Sequence, residues 1–548
     1  MRLFCEWIIN QFLSFTSQFS DLQTKLTIDM NQFFKKCLLI ALTGYSFAYA
    51  DVKLASPFTN HMVLQHETLV PIWGTADVGE KITVKLGKQS KTTTANADGK
   101  WMLKLDKLKA GGPYVLLVNG KNKIIISDVY AGEVWICSGQ SNMDFTVARE
   151  DRYWCGVYNE AEEVKQANYP LIRVFDTDFS PRITPQTEII GKWEVVSPQT
   201  IGHLSAVAYF FAREVQKKIK IPIGLITTAF GASTAEAWIS KEALVAEPKF
   251  EKLLISFNNK LTKYTTDTAA QLAYQLALDK WKIAATKAKA EGKDELRGPK
   301  NPNPVVDQHN PYVLWNGMVN PLIPYAIRGA LWYQGESNSP TASIYKDLMK
   351  TLIKDWRTQW GQGDFPFYYV QLANIGKEIE ATPAKGGSEA IKREAQLQNL
   401  SIPNTAMVVA IDNANPEKME DVHPKNKQDI GYRLALPALN NIYKVKTPYS
   451  GPIYDKMEVV GNSIKIYFKH VEGGLTIKGE NLKGFAIAAE DKKFVWADAK
   501  IVGNSIIVSS AEVINPKAVR YRWGANPPIS LYNTAQLPAS PFRTDDWK

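Results

Sequence analysis

A serine hydroxyl becomes a nucleophile when a base takes its proton and fixed donors receive the charge on the carbonyl oxygen it attacks. One serine of this chain stands where that chemistry needs it. The run Val134-Trp135-Ile136-Cys137-Ser138-Gly139-Gln140-Ser141-Asn142-Met143 carries an apolar stretch into a short polar loop. A strand end followed by a Gly-containing turn is where α/β folds present reactive side chains. The run is not Gly-x-Ser-x-Gly, so the nucleophile-elbow template does not describe it. A lone Gly-x-Ser is more often a structural turn, and the companions of Ser141 decide between the readings.

The base must come from six histidines. His61 and His66 fall in an N-terminal β-patterned segment and His470 in a C-terminal one. His203 precedes a helical pattern, and His309 sits in a Pro- and Asn-rich loop. His423 lies in Glu420-Asp421-Val422-His423-Pro424-Lys425, just before a helical stretch whose first turn suits Pro424. Asp421, two residues earlier, can curl back and hold the imidazole in one tautomer. The order Ser…Asp…His in an α/β chain points to acyl transfer. No Cys/His cluster has zinc spacing and no Gly-rich phosphate loop follows a strand, so neither a metal nor an organic cofactor is expected.

These residues need a scaffold. Short apolar runs at 171–175, 223–229, 327–333, 367–372 and 406–411 alternate with helical patterns at 205–220, 344–356, 389–400 and 425–439. Such alternation predicts a mostly parallel sheet covered on both faces. Residues 51–130 alternate with a period of two between Gly- and Asp-containing turns, which predicts a small β-sandwich. After Pro448-Tyr449-Ser450-Gly451-Pro452 the chain returns to β alternation, which predicts a second β domain over 446–548. The catalytic region is then 131–445, interrupted at about 240–300 by charged helical stretches that read as a solvated insertion.

Several blocks together carry a family resemblance. The Gly139-Gln140-Ser141-Asn142-Met143 block resembles the first block of the SGNH hydrolases, in the form used by carbohydrate acetylesterases. Residues 224–238 (GLITTAFGASTAEAW), Asn316-Gly317-Met318, 332–338 (WYQGESN) and Asp421-Val422-His423-Pro424 resemble the later blocks. Segments 366–372 (PFYYVQL) and Arg393-Glu394-Ala395-Gln396 match filler of the same family. Over roughly residues 51–545 the chain is similar to the sialate O-acetylesterase family.

That resemblance implies an SGNH-hydrolase-like three-layer α/β/α core flanked by N- and C-terminal β-sandwich domains. It implies a serine esterase that removes O-acetyl groups from sialic acids on glycans through an acetyl-enzyme. Ser141 would be the nucleophile, His423 the base and Asp421 the orienting acid, with Glu420 and Glu336 as alternative acids. The oxyanion would be held by the N–H groups of Ser141 and Gly231 and by the Gln334 amide, with Asn338 as the alternative. The chain departs from the pattern in two places. Ser337 stands where many SGNH enzymes carry an oxyanion-hole Asn, and Gly231-Ala232-Ser233 replaces Gly-Gly-Thr. Acetylated xylan or another plant polysaccharide is the alternative substrate, and a non-catalytic carbohydrate-binding protein the alternative of another class. Trp154, Trp238 and Tyr153 are candidates to stack on sugar, with Trp238 read as core.

The N-terminus carries an address. Met30 starts a second reading, Lys35 and Lys36 form a charged n-region, 37–45 is apolar, and Ala48-Tyr49-Ala50 is a small-residue cleavage site. This predicts a signal peptide over 30–50, an upstream segment over 1–29 outside the working protein, and a periplasmic or secreted product. No later stretch is long and apolar enough to span a membrane. Cys137 and Cys155 remain after cleavage and read as two free thiols. The formal charge of +10 is spread among interleaved acids, with no basic block and no nucleic-acid motif.

Overall fold

Strand β1 (Lys123–Gly139) ties the molecule together. Its first half pairs antiparallel with Gly111–Asn119, and its second half lies at the centre of the parallel sheet. The strand therefore runs unbroken through position 130, where the sequence pattern changes. The computed structural model describes residues 51–548 apart from 151, 293–295, 297, 377–382, 384–385, 527–528 and 548. The expected upstream segment 1–29 and signal peptide 30–50 lie outside the described residues.

The central sheet adds β2 (Tyr169–Thr177), β3 (Gly191–Val196), β4 (Ile223–Ala229), β5 (Gly329–Tyr333), β6 (Phe367–Gln371) and β7 (Thr405–Val409). Their spatial order is β3-β2-β4-β1-β5-β6-β7, all parallel except β3, which runs antiparallel at one edge. Side chains alternate across the sheet. Trp135, Cys137, Tyr333, Tyr368 and Val370 pack with helices α1 (Ala206–Ile219) and α4 (Lys427–Pro437). Ile136, Ala330, Trp332, Phe367 and Tyr369 pack into the opposite core with α2 (Tyr345–Trp360). Helix α3 (Ser388–Gln398) lies between β6 and β7 in the chain. The fold is mixed α/β, with four of the expected helices and five of the expected strands placed within a few residues. The edge strand β3 was not anticipated, because its half-exposed Gly-Lys-Trp-Glu-Val-Val sequence lacks an apolar run.

Before the central sheet, Ile82, Val84, Leu86, Trp101, Leu103, Leu105, Leu116 and Val118 point inward from short antiparallel strands. After it, two four-stranded antiparallel sheets share a core that includes Ile464, Ile466, Phe485, Ile506, Val519 and Phe542. The helices Glu251–Thr266 and Thr268–Ala290 are solvated, each with a single buried residue. No helix among the described residues is long and apolar enough to cross a membrane.

Candidate active site

The chain leaves β1 toward one half of the sheet and later returns to build the other half. β1 is thus a switch point, where open parallel sheets form a crevice at the carboxyl ends of their strands. Gly139 ends β1 with φ 143°, and a Cβ there would lie 2.1 Å from the Tyr333 carbonyl oxygen. Only glycine lets β5 approach so closely. The Gln140 N–H donates to Tyr333 O at 3.0 Å and the Phe230 N–H donates to Gly139 O at 3.1 Å. The loop carrying Ser141 is therefore pinned between the ends of β4 and β5.

Ser141 opens the short helix Ser141–Asp144, and its Oγ lies 2.9 Å from His423 Nε2. Asp421 Oδ1 accepts from the His423 backbone N–H at 2.9 Å and faces His423 Nδ1 at 3.1 Å. A carboxylate at Nδ1 puts the proton there, so Nε2 is the lone-pair nitrogen and the serine O–H donates to it. Burial holds the His423 imidazole below its ordinary titration range, and the charge of Lys427 adds to this, against the opposing pull of Asp421. These surroundings favour the neutral imidazole. Trp154 packs against His423 with ring centroids 4.7 Å apart and the planes tilted by 35°.

Pairing with an acid does not by itself mark this histidine. His61 contacts Asp128, His66 contacts Glu133, His203 contacts Glu194, and His309 contacts Asp307 in a second Asp-x-His. Among the described residues only His423 also hydrogen-bonds a serine hydroxyl. Of the alternative acids, Glu420 is exposed on the loop. Glu336 accepts from Asn142 Nδ2 at 2.6 Å, its other oxygen is buried without a partner, and burial raises its carboxyl.

Gly231 follows β4 and faces the serine, since a Cβ built on it would meet Ser141 Cβ at 3.7 Å. The N–H groups of Ser141 and Gly231 donate to no other backbone group among the described residues. Both N–H groups are thus left without a backbone acceptor beside the serine loop. Gln334 and Asn338, the expected side-chain donors to the oxyanion, have their amide protons engaged within the protein. Gln334 Nε2 spends its protons on Ser233 O at 3.0 Å and Asn338 Oδ1 at 2.6 Å. Because Ser233 O is an acceptor, the nitrogen must face it. Asn338 Nδ2 likewise donates to Glu236 Oε2 and Thr341 Oγ1. Both amides brace the loop after β4 instead. Ser337 and Ser233 are used similarly: Ser337 Oγ accepts from Gln140 Nε2, and Ser233 Oγ accepts from Trp238 Nε1 at 2.9 Å. Ala232 adopts φ 57°, a left-handed conformation that a glycine would hold more easily.

Several site residues escaped the sequence reading. Asn142 and Lys427 link the serine loop to the histidine loop: Lys427 Nζ donates to Asn142 Oδ1 at 2.7 Å and to Pro424 O. The available signal was a lysine on the apolar face of a helix, beside Ile430, Gly431 and Leu434. Gln396, read as filler, donates to Val370 O and to Gln334 O. Trp238 is fully buried, whereas Tyr153 is exposed. Cys137 and Cys155 are free and buried, and burial pushes both thiols up.

A family model described as carbohydrate esterase, sialic acid-specific acetylesterase, matches residues 131–288 and 315–440. These spans contain Ser141, Gly231, Gln334, Asp421 and His423. The sialate O-acetylesterase of Mus musculus is 27% identical over 562 residues, covering 92% of this chain and 96% of the mouse protein. That of Homo sapiens is 27% identical over 538 residues, covering 89% and 92%. The crystal structure of a carbohydrate acetylesterase from Xanthomonas citri superposes with a TM-score of 0.74 at 31% identity, covering 90% of this chain and 100% of that one. The chain therefore belongs to the sialic acid-specific acetylesterase family of carbohydrate esterases and is a carboxylic ester hydrolase acting on acetylated carbohydrates.

Proposed function

We propose that this protein removes O-acetyl groups from sialic acids on glycans through an acetyl-enzyme intermediate. The observation that carries the mechanism is the run Ser141 Oγ, His423 Nε2, His423 Nδ1, Asp421 Oδ1, with contacts of 2.9 and 3.1 Å. His423 takes the serine proton as Oγ forms a bond to the acetyl carbon. Asp421 stabilises the imidazolium without taking its proton. The N–H groups of Ser141 and Gly231 receive the oxyanion, each donor contributing about 3–4 kcal/mol at the transition state. The carbon–oxygen bond to the sugar then breaks, and the sugar oxygen leaves with the proton from His423. Water, deprotonated by the same imidazole, cleaves the acetyl-serine and releases acetate.

The sialic acid assignment is supported by the names of the mouse and human relatives. Trp154, packed against His423, and the Phe179–Phe230 pair beside Gly231, with centroids 3.6 Å apart, offer aromatic faces to sugar rings. The central sheet with helices on both faces supports an SGNH-type core over 131–445, between an N-terminal β-sandwich over 51–130 and a C-terminal β domain over 446–548. We also propose export to the periplasm or outside the cell, with cleavage near Ala50.

Acetate release by residues 51–548 and by Ser141→Ala, offered O-acetylated sialoglycan and acetylated xylan side by side, tests the reading. Release from the sialoglycan, cut by roughly 10⁴-fold or more in the variant, is expected. Release chiefly from xylan overturns the substrate, and an equally active variant overturns the nucleophile.

A further inference from the structure

His423 is held by a loop, and a loop histidine is only as well placed as the groups that fix its backbone. The carbonyls on either side of it, Val422 O and Pro424 O, are both taken by side chains. Asn142 Nδ2 donates to Val422 O at 2.8 Å, and Lys427 Nζ donates to Pro424 O. Asn142 is the residue after Ser141, and its Oδ1 accepts from Lys427 Nζ at 2.7 Å. The two side chains thus close a ring that joins the serine loop to both sides of the histidine.

Lys427 is fully buried, and no carboxylate among the described residues lies within ion-pair distance of it. Its ammonium sits 4.2 Å from the Phe145 ring centroid and 5.9 Å from that of Tyr333. Burial pushes it down to about 7, against the pull of Glu336, Cys155 and Asp421. A lysine kept in so costly a place, and tied by two hydrogen bonds to the serine and histidine loops, points to a use beyond packing. Three charges bear on His423: those of Lys427 and Lys418 disfavour the imidazolium, and that of Asp421, in contact with the ring, favours it.

We propose that Lys427 is a positioning residue that, with Asn142, clamps the backbone on both sides of His423 to the Ser141 loop and so keeps the imidazole on the serine hydroxyl. This rests on Ser141 and His423 being the reacting pair. Its charge opposes protonation of His423 in the resting enzyme. The hydrogen bonds it makes keep Nε2 on the serine while the proton moves.

The test compares wild type, Lys427→Met and Lys427→Gln in residues 51–548, with 4-nitrophenyl acetate and an O-acetylated sialoglycan. The readouts are kcat, KM, the pH profile of kcat/KM and the melting temperature. Lys427→Met removes both donors and the charge, so kcat should fall by about 10²-fold from misplacement of the base, with KM little changed. Its acid limb should move to higher pH. Lys427→Gln keeps a donor and loses the charge, so it should show the same shift of the acid limb with a smaller loss of kcat. Should Lys427→Met not fold, the Gln variant still reads the shift. An acid limb unmoved in the folded variants, or a lowered melting temperature with unchanged kinetics, overturns the proposal and leaves Lys427 a packing residue. Wild-type turnover that survives Ser141→Ala would instead overturn the reading beneath it.

Discussion

Asp421 reaches His423 through a single oxygen that meets both the backbone N–H and the ring, and this double contact fixes the ring's rotation as well as its tautomer. Glu420, one residue earlier, is exposed. Asp421→Asn should therefore lower kcat by roughly 10²–10⁴-fold, because an amide can present its N–H to Nδ1 and favour the wrong tautomer. Glu420→Gln should stay within about twofold, as surface substitutions usually do. Glu336→Gln should fall between them, since its amide oxygen can still accept from Asn142. Steady-state kinetics on the three variants checks the order, and an unimpaired Asp421→Asn would sink the assignment of the acid. The pH dependence follows from the same contacts. Only the neutral imidazole accepts the serine proton, so kcat/KM falls as the pH drops through the His423 titration. That titration is held below the ordinary 6.5. The acid limb should lie below that value, and Asp421→Asn, by removing the opposing charge, should carry the residual activity's limb lower still. A limb at or above 6.5 in wild type would contradict the neutral, buried base.

At the scale of elements, the site depends on how closely helix α4 can approach α1. Gly431 lies at their crossing, where a Cβ would come within 2.4 Å of Phe210 Cβ and 2.7 Å of the Phe211 backbone nitrogen. A backbone atom cannot rotate away, so Gly431→Ala must push the helices apart. The expected cost is about 1–3 kcal/mol, read as a lower urea midpoint at unchanged slope. Because α4 carries Lys427 and follows the His423 loop, kcat should fall more than KM changes; an unaltered midpoint would show that the contact is relaxed. Elements such as β4 and α1 were legible because their apolar periods are long and cleanly bounded. That Ser141, Asp421 and His423 would meet was legible because the types and order needed for acyl transfer are few. The contacts of Gln334 were not legible, for an equally physical reason. A carboxamide after a strand end looks like an oxyanion donor until its neighbours are known, and here Ser233 O and Asn338 Oδ1 claim both protons. Lys427 was passed over because a lysine at a helix start reads as solvated until the helix is packed.

Across the whole molecule, the C-terminal β segment grips the central sheet instead of hanging from it. Arg393 of α3 is buried, with its guanidinium donating to Leu372 O and Ala373 O at the end of β6 and to Gly524 O and Ala525 O of the C-terminal segment. Burial pulls this guanidinium down to about 10. Nearby, Gln371 Nε2 donates to Ser540 Oγ at 2.9 Å, and Arg543 makes a two-pronged pair with Glu394 at 2.7 and 3.0 Å. Such contacts across a buried polar seam are costly to leave unmade, because each carbonyl stripped of its donor loses about 1–3 kcal/mol. The sheet and the C-terminal segment should accordingly unfold together. Calorimetry on residues 51–548 should show one cooperative transition whose van't Hoff and calorimetric enthalpies agree. Arg393→Met strands four carbonyls at once and should lower the stability of the whole by about 3 kcal/mol or more, shifting that single transition downward. Two separated transitions in wild type, or an Arg393→Met variant that melts only its C-terminal part while esterase activity persists, would mean that the β segment is an appended domain and that the sheet holds the serine, the histidine and the acid together without it.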